Sequence, residues 1–206
     1  LLTGGGDCPG LNSVIRAVVQ SCILEHGIQV VGIPDGFKGL LENKFIPLDL
    51  LNTTGILSKG GTILGSSNVD TPFRVPVTKE GKKIYEDRSD EVVQHLKQER
   101  VDAMIVVGGD GTQSIAHGMS QKGIKVVGIP KTIDNDLNGT EFTIGFYTAV
   151  TTAVEALDKL HTTAESHHRI MVVEVMGRNA GWIALFAGLG GDADVILLPE
   201  ISFDLN

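Results

Sequence analysis

The chain has 206 residues, 42% hydrophobic and 20% charged, with 26 glycines and a net charge of −8. That composition is one of a folded chain with a substantial core, not of a disordered one, and its acidic balance speaks against a nucleic-acid partner, which needs a basic face. Two cysteines, Cys8 and Cys22, make neither a disulfide framework nor a metal spacing, and no apolar stretch reaches bilayer-spanning length, so a cytoplasmic protein without a membrane partner is expected.

Leu1-Leu2-Thr3 reads as the tail of a strand already under way, with no initiating Met, and further chain is expected on both sides of the 206 residues. Strands are predicted over 29–33, 101–107, 125–129, 170–175 and 195–198. Helices are predicted over 12–25, 90–98, 113–121, 145–161 and 178–189; in the fourth, Val150, Val154, Leu157 and Leu160 share one face. Asn68 to Asp87, with Pro72, Pro76 and several lysines, reads as an exposed loop that is either a lid or a solvated insertion. Strands alternating with helices predict an α/β fold: Rossmann-like parallel sheets with helices on both faces, in two domains, 1–144 and 145–206, the second incomplete.

Parallel sheets of this kind bind ligands at the carboxyl ends of their strands. Gly4 to Gly10, Gly108 to Thr112, Lys131 to Asp136 and Met176-Gly177-Arg178 all fall at such ends. The apolar run Met104 to Val107 opens into Gly108-Gly109-Asp110-Gly111-Thr112 and then a helix, whose first N–H groups suit phosphate oxygens. A carboxylate among those glycines fits a Mg²⁺ ion shared with a polyphosphate, and the nearby Asp134 and Asp136 can supply a base. The pattern points to phosphoryl transfer. Pro9 stands where the dinucleotide fingerprint needs its third glycine, which weighs against a dehydrogenase.

Gly-Gly-Asp-Gly-Thr resembles a motif shared by phosphofructokinases, NAD kinases and the diacylglycerol and sphingosine kinases. Thr3 to Asn12, Gly60 to Ser66, Pro130 to Asp136 and Glu174 to Arg178 resemble 6-phosphofructokinase motifs in the family's order, whereas an NAD or lipid kinase offers no account of the last two. The resemblance implies fructose 6-phosphate as acceptor, Mg²⁺ on Asp110, and a phosphate track of Gly6, Gly109, Gly111 and Thr112. It implies Asp134 as the base on the sugar 1-hydroxyl, Asp136 holding the metal and base arrangement, and Thr132 touching the transferred phosphoryl. Met176, Gly177 and Arg178 would meet the sugar phosphate, with Arg178 also stabilising transition-state charge. Arg169 matches an arginine that reaches a neighbouring subunit's site, which implies a homo-oligomer, usually a tetramer.

The family divides between ATP and pyrophosphate as donor. An aspartate in place of Gly111 would fill and repel the space of the α-phosphate, so Gly111 indicates ATP. Lys131 indicates pyrophosphate, and ATP is the expected donor with pyrophosphate the alternative. Asn68 stands where ATP enzymes of the family carry a phosphate-binding arginine, and Arg74 is the candidate replacement. Arg16 persists from the family's effector pocket, but Gln20 and His161 stand where further arginines are expected, which puts that regulation in doubt.

Overall fold

The computed structural model describes residues 1–79 and 81–204. They fold as two compact units, Leu1–Lys131 and Thr132–Asn206.

In the first unit, β1 (Leu2–Thr3), β6 (Met104–Gly108) and β7 (Val126–Thr132) lie side by side and parallel. Leu2 is opposite Val106, and the β6–β7 register runs from Met104 opposite Val126 to Gly108 opposite Pro130. β2 (Val30–Gly32) pairs antiparallel with β3 (Ile46–Leu48), and Ile33 continues from it to bridge Leu2 in parallel. β6 is almost wholly buried, which is why it reads as an uninterrupted apolar run rather than an alternating one. Helices α2 (Phe37–Leu41), α3 (Ser89–Gln98) and α4 (Asp110–Gln121) supply Phe37, Leu40, Val92, Leu96, Ala116 and Met119 to a core with Leu2, Met104 and Val106. α1 (Leu11–Gln20) starts behind Gly10, at φ 94°, and buries Leu11, Ile15 and Val19 at four-residue spacing. It passes into a π-helical turn, Ser21–Glu25, before Gly27 at φ 65°.

Part of the expected 68–87 loop is a hairpin. β4 (Val75–Lys79) pairs antiparallel with β5 (Lys82–Glu86), Val75 opposite Glu86 and Thr78 opposite Lys83. Pro76 disguised it; a two-stranded ribbon has free edges, where a residue lacking N–H is tolerated. Lys79, at the turn end, and Glu86, at the open end, form a 2.5 Å ion pair.

In the second unit, a turn over 132–143 leads through β8 (Ile144–Gly145) into α5 (Phe146–His167), which is longer than expected, and α6 (Trp182–Gly190). Phe146, Val150, Ile183 and Ala187 form its core, and Phe146 meets Phe186 edge-on with centroids 5.4 Å apart. α6 begins later than the predicted 178 because Gly177 (φ 120°) holds a turn in which a β-carbon would sit 2.4 Å from the Ala180 carbonyl oxygen. The segments 170–175 and 195–198 form no strand among the described residues. Their apolar letters satisfy the strand pattern, but a strand also needs a neighbour to receive its N–H and C=O groups, and Ile170, Val172 and Val195 are largely exposed. Together with α5 and α6 they line a cavity of about 460 Å³. No described helix is long and apolar enough to cross a membrane.

Close approach dictates Gly39, where an added β-carbon would lie 2.1 Å from the Pro34 carbonyl oxygen. Gly39→Ala is expected to destabilise the protein by about 1–3 kcal/mol, as overpacking does. Gly60→Ala, with open space around the new methyl, should stay within about 0.5 kcal/mol of the parent, both read from urea unfolding midpoints.

Candidate functional site

The polar loop after β1 is fixed by main-chain bonds. The Gly4 N–H donates to the Val107 carbonyl (2.9 Å), extending the parallel ladder, and the Gly5 N–H donates to the Ser67 carbonyl (2.9 Å). Ser66 Oγ donates to the Gly5 carbonyl at 2.5 Å and lies 3.4 Å from that of Thr3. Thr3 Oγ1 donates to the Gly65 carbonyl (2.8 Å). From the start of α1, the buried Asn12 donates to the carbonyls of Lys59 and Gly60 and accepts the Ile63 N–H. The segment 59–67 is thereby stitched to the Gly4–Asp7 loop.

Lys131, 4% exposed, donates its Nζ to the Gly6 carbonyl. Burial pushes its pKa down, while Cys8 and Asp7 pull it back up. The Cys8 thiol is pushed up to about 11 by burial, with Lys131 opposing and Asp7 adding. Neither group is an ordinary surface ion. Lys131 is a desolvated cation inside a glycine loop.

α4 starts behind Gly109, which is extended, so Asp110 sits in its first turn with Asp110 and Gly111 exposed. A β-carbon on Gly111 would meet nothing within 4 Å. Thr112 is buried: its side chain lies over Gly4 and Gly108, where β-carbons would come within 2.8 and 2.4 Å of it. Thr112 thus wedges between the first turn of α4 and the strand ends at Gly4 and Gly108. No cluster of three or more His, Cys, Asp or Glu side chains able to hold a metal occurs among the described residues. Asp110 alone fits a Mg²⁺ ion that completes its shell with substrate phosphates and water.

Gln113 was not anticipated. Its Nε2 lies 3.2, 3.1 and 3.0 Å from the carbonyl oxygens of Val106, Gly108 and Ile129, tying the ends of β6 and β7 together from above. Gly128 leaves it room, since a β-carbon there would meet its Oε1 at 2.3 Å. Arg74 rests its guanidinium 4.2 Å above the Tyr85 ring of the hairpin, a cation–π contact. The neighbouring Phe73 ring packs against Gly118 of α4.

In the second unit, the 132–143 turn is organised by Asn135, held at φ 51°. Its Oδ1 accepts the Thr143 N–H (2.9 Å), and Thr143 Oγ1 donates to the Thr132 carbonyl (2.6 Å). Thr132 Oγ1 accepts the Asp134 N–H at 3.1 Å. Asp134 Oδ1 is buried with no hydrogen-bond partner. Burial first, and the neighbouring Asp136 second, hold its carboxyl above the usual aspartate range. Met176 and Arg178 are exposed beside Gly177, and Arg169 is exposed at the rim of the 460 Å³ cavity. Neither arginine forms an ion pair among the described residues.

Residues 1–206 match the family described as PFK: Phosphofructokinase. The chain is 60% identical over 207 residues to ATP-dependent 6-phosphofructokinase 2 of Clostridium perfringens, covering 100% of this chain and 57% of that protein. It is 52% identical over 206 residues to the pyrophosphate–fructose 6-phosphate 1-phosphotransferase of Amycolatopsis mediterranei, again covering 100% and 57%. The crystal structure of Pichia pastoris phosphofructokinase in the T-state superposes with a TM-score of 0.85 at 32% identity, over 97% of this chain and 22% of that one. The chain therefore spans a little over half the length of these bacterial relatives. The match runs along the whole chain, to the family model and to a relative 60% identical, and it shows that the chain belongs to the phosphofructokinase family.

Proposed function

We propose that the protein of which this chain is part transfers a phosphoryl group from Mg²⁺-bound ATP to the 1-hydroxyl of fructose 6-phosphate, yielding fructose 1,6-bisphosphate, a glycolytic reaction. The observation that carries this reading is Asp134, whose Oδ1 is buried and has no partner. A buried, unpaired carboxylate oxygen is costly to the fold and is explained by a hydroxyl that arrives with the substrate.

In this reading Asp134 accepts the sugar 1-hydroxyl proton as that oxygen bonds to the γ-phosphorus and the bond to the leaving ADP breaks. The raised pKa of Asp134 makes it a better proton acceptor than an ordinary aspartate. Thr132 contacts the transferred phosphoryl, and Asp136 maintains the charge pattern of the loop. Gly6, Gly109, Gly111 and Thr112 belong to the phosphate track, and Asp110 holds the Mg²⁺, which when bound neutralises polyphosphate charge. Met176, Gly177, Arg169 and Arg178 receive the sugar phosphate, and Arg178 offsets the charge spread over the equatorial oxygens. The assembly is a homo-oligomer, a tetramer, in the cytoplasm; the match of Arg169 to an intersubunit arginine supports the first point.

Three observations divide on the donor. The open space at Gly111 favours ATP, whereas the buried Lys131 cation and the pyrophosphate-using relative favour pyrophosphate. Steric and charge exclusion outweigh attraction here, so ATP is our choice. Full-length protein given fructose 6-phosphate, Mg²⁺ and each donor separately is expected to turn over with ATP; turnover with pyrophosphate alone reverses the assignment. Gly111→Asp should cut kcat/KM for ATP by about 10²-fold through like-charge repulsion while largely sparing pyrophosphate.

Asp134→Asn should lower kcat by about 10²–10⁴-fold and yet stabilise the fold at neutral pH. The sign follows from the raised native pKa. The protonated form is preferred in the fold, so stability is fully present below the unfolded value near 3.8 and is lost as pH rises through the native value. Urea midpoints of parent and variant are expected to converge in acid and separate in the variant's favour toward pH 7. Equal midpoints throughout would remove the desolvation argument.

A further inference from the structure

A trans peptide points its carbonyl and the N–H that follows in opposite directions within one plane. No cis peptide occurs among the described residues, so each carbonyl that is tied down dictates where the next N–H points. In the Gly4–Asp7 loop two successive carbonyls are tied. The Gly5 carbonyl accepts from Ser66 Oγ at 2.5 Å, and the Gly6 carbonyl accepts from the buried Lys131 ammonium. The Gly6 N–H must therefore face away from Ser66, and the Asp7 N–H away from Lys131.

Gly6 and Asp7 are both exposed, and neither backbone N–H donates a hydrogen bond among the described residues. The preceding N–H, that of Gly5, is already consumed by the Ser67 carbonyl at 2.9 Å. Gly5, at φ 81°, supplies the left-handed step that brings consecutive N–H groups to one side.

We infer that Ser66 and Lys131 are positioning residues whose hydrogen bonds to the Gly5 and Gly6 carbonyls aim the N–H groups of Gly6 and Asp7 outward as a two-point cradle for the terminal phosphoryl oxygens of the donor. This rests on the phosphoryl-transfer reading above and adds to it. The anion is met by the Gly6–Asp7 pair and not by Gly5, and the residues that create the pair contact backbone rather than donor. Ser66 is the cleaner probe of the two, because removing its hydroxyl changes no charge. Without it the Gly5–Gly6 peptide plane can rotate, and the cradle must be ordered again each time a donor binds.

The test uses full-length protein and calorimetric titration with a Mg²⁺-bound non-hydrolysable ATP analogue, pyrophosphate and fructose 6-phosphate. Ser66→Ala should weaken the polyphosphate that the parent binds by about five- to tenfold, the worth of one hydrogen bond. Fructose 6-phosphate affinity should be unchanged, and Ser66→Thr, which keeps the hydroxyl, should recover most of the loss. Lys131→Met should weaken the same ligand further, since it removes a charge as well as a tie. Unchanged polyphosphate affinity in Ser66→Ala, an equal loss for the sugar phosphate, or no recovery by threonine overturns the inference while leaving the phosphotransferase reading intact. A parent protein that binds neither polyphosphate overturns both.

Discussion

The glycine loops of the first unit are built around Thr112. Its side chain fills the gap between the first turn of α4 and the strand ends at Gly4 and Gly108, where β-carbons would come within 2.8 and 2.4 Å of it. Two glycines and one threonine thus fix how closely the helix start approaches the sheet. That approach sets where Asp110 and Gly111 emerge, and the remaining bonds refine it. A larger residue at either glycine would lift the helix N-terminus from its strands, and the anion-attracting end of α4 would move with it.

Electrostatically the protein works against its own balance. With a net charge of −8, any positive field it presents has to be local and little diluted by water. Lys131 meets that requirement by being buried, since a desolvated ammonium acts at a lower effective dielectric than a surface lysine. Asp134 is the counterpart in the second unit, a carboxylate made more basic by burial and by a like-charged neighbour. Each of these groups is costly to the fold alone, and in the proposed reaction each meets a substrate of complementary charge or proton demand.

Much of this was legible in the letters. β6 and α4 announced themselves because a fully buried parallel strand is a continuous apolar run and the glycines after it mark a turn into a helix. Asp110 and Asp134 were legible as chemistry, but the isolation of Asp134 Oδ1 was not, because burial depends on packing from outside the motif. α2 and β3 are too short, at five and three residues, to show a period. The hairpin was hidden by Pro76 and its lysines, and 170–175 and 195–198 had strand letters without strand partners. Ser66 and Gln113 could not be singled out because what they bind is backbone carbonyl, which every residue carries; only the folded chain selects which ones.

Gln113 has a bearing on how such a chain can drift. Its amide occupies the volume that a β-carbon on Gly128 would need, and in return serves the carbonyls of Val106, Gly108 and Ile129. The two positions are therefore not independent inheritances. A side chain gained at 128 evicts the amide, and a shorter residue at 113 vacates room that the glycine no longer has reason to keep, so viable descendants should exchange this pair in concert.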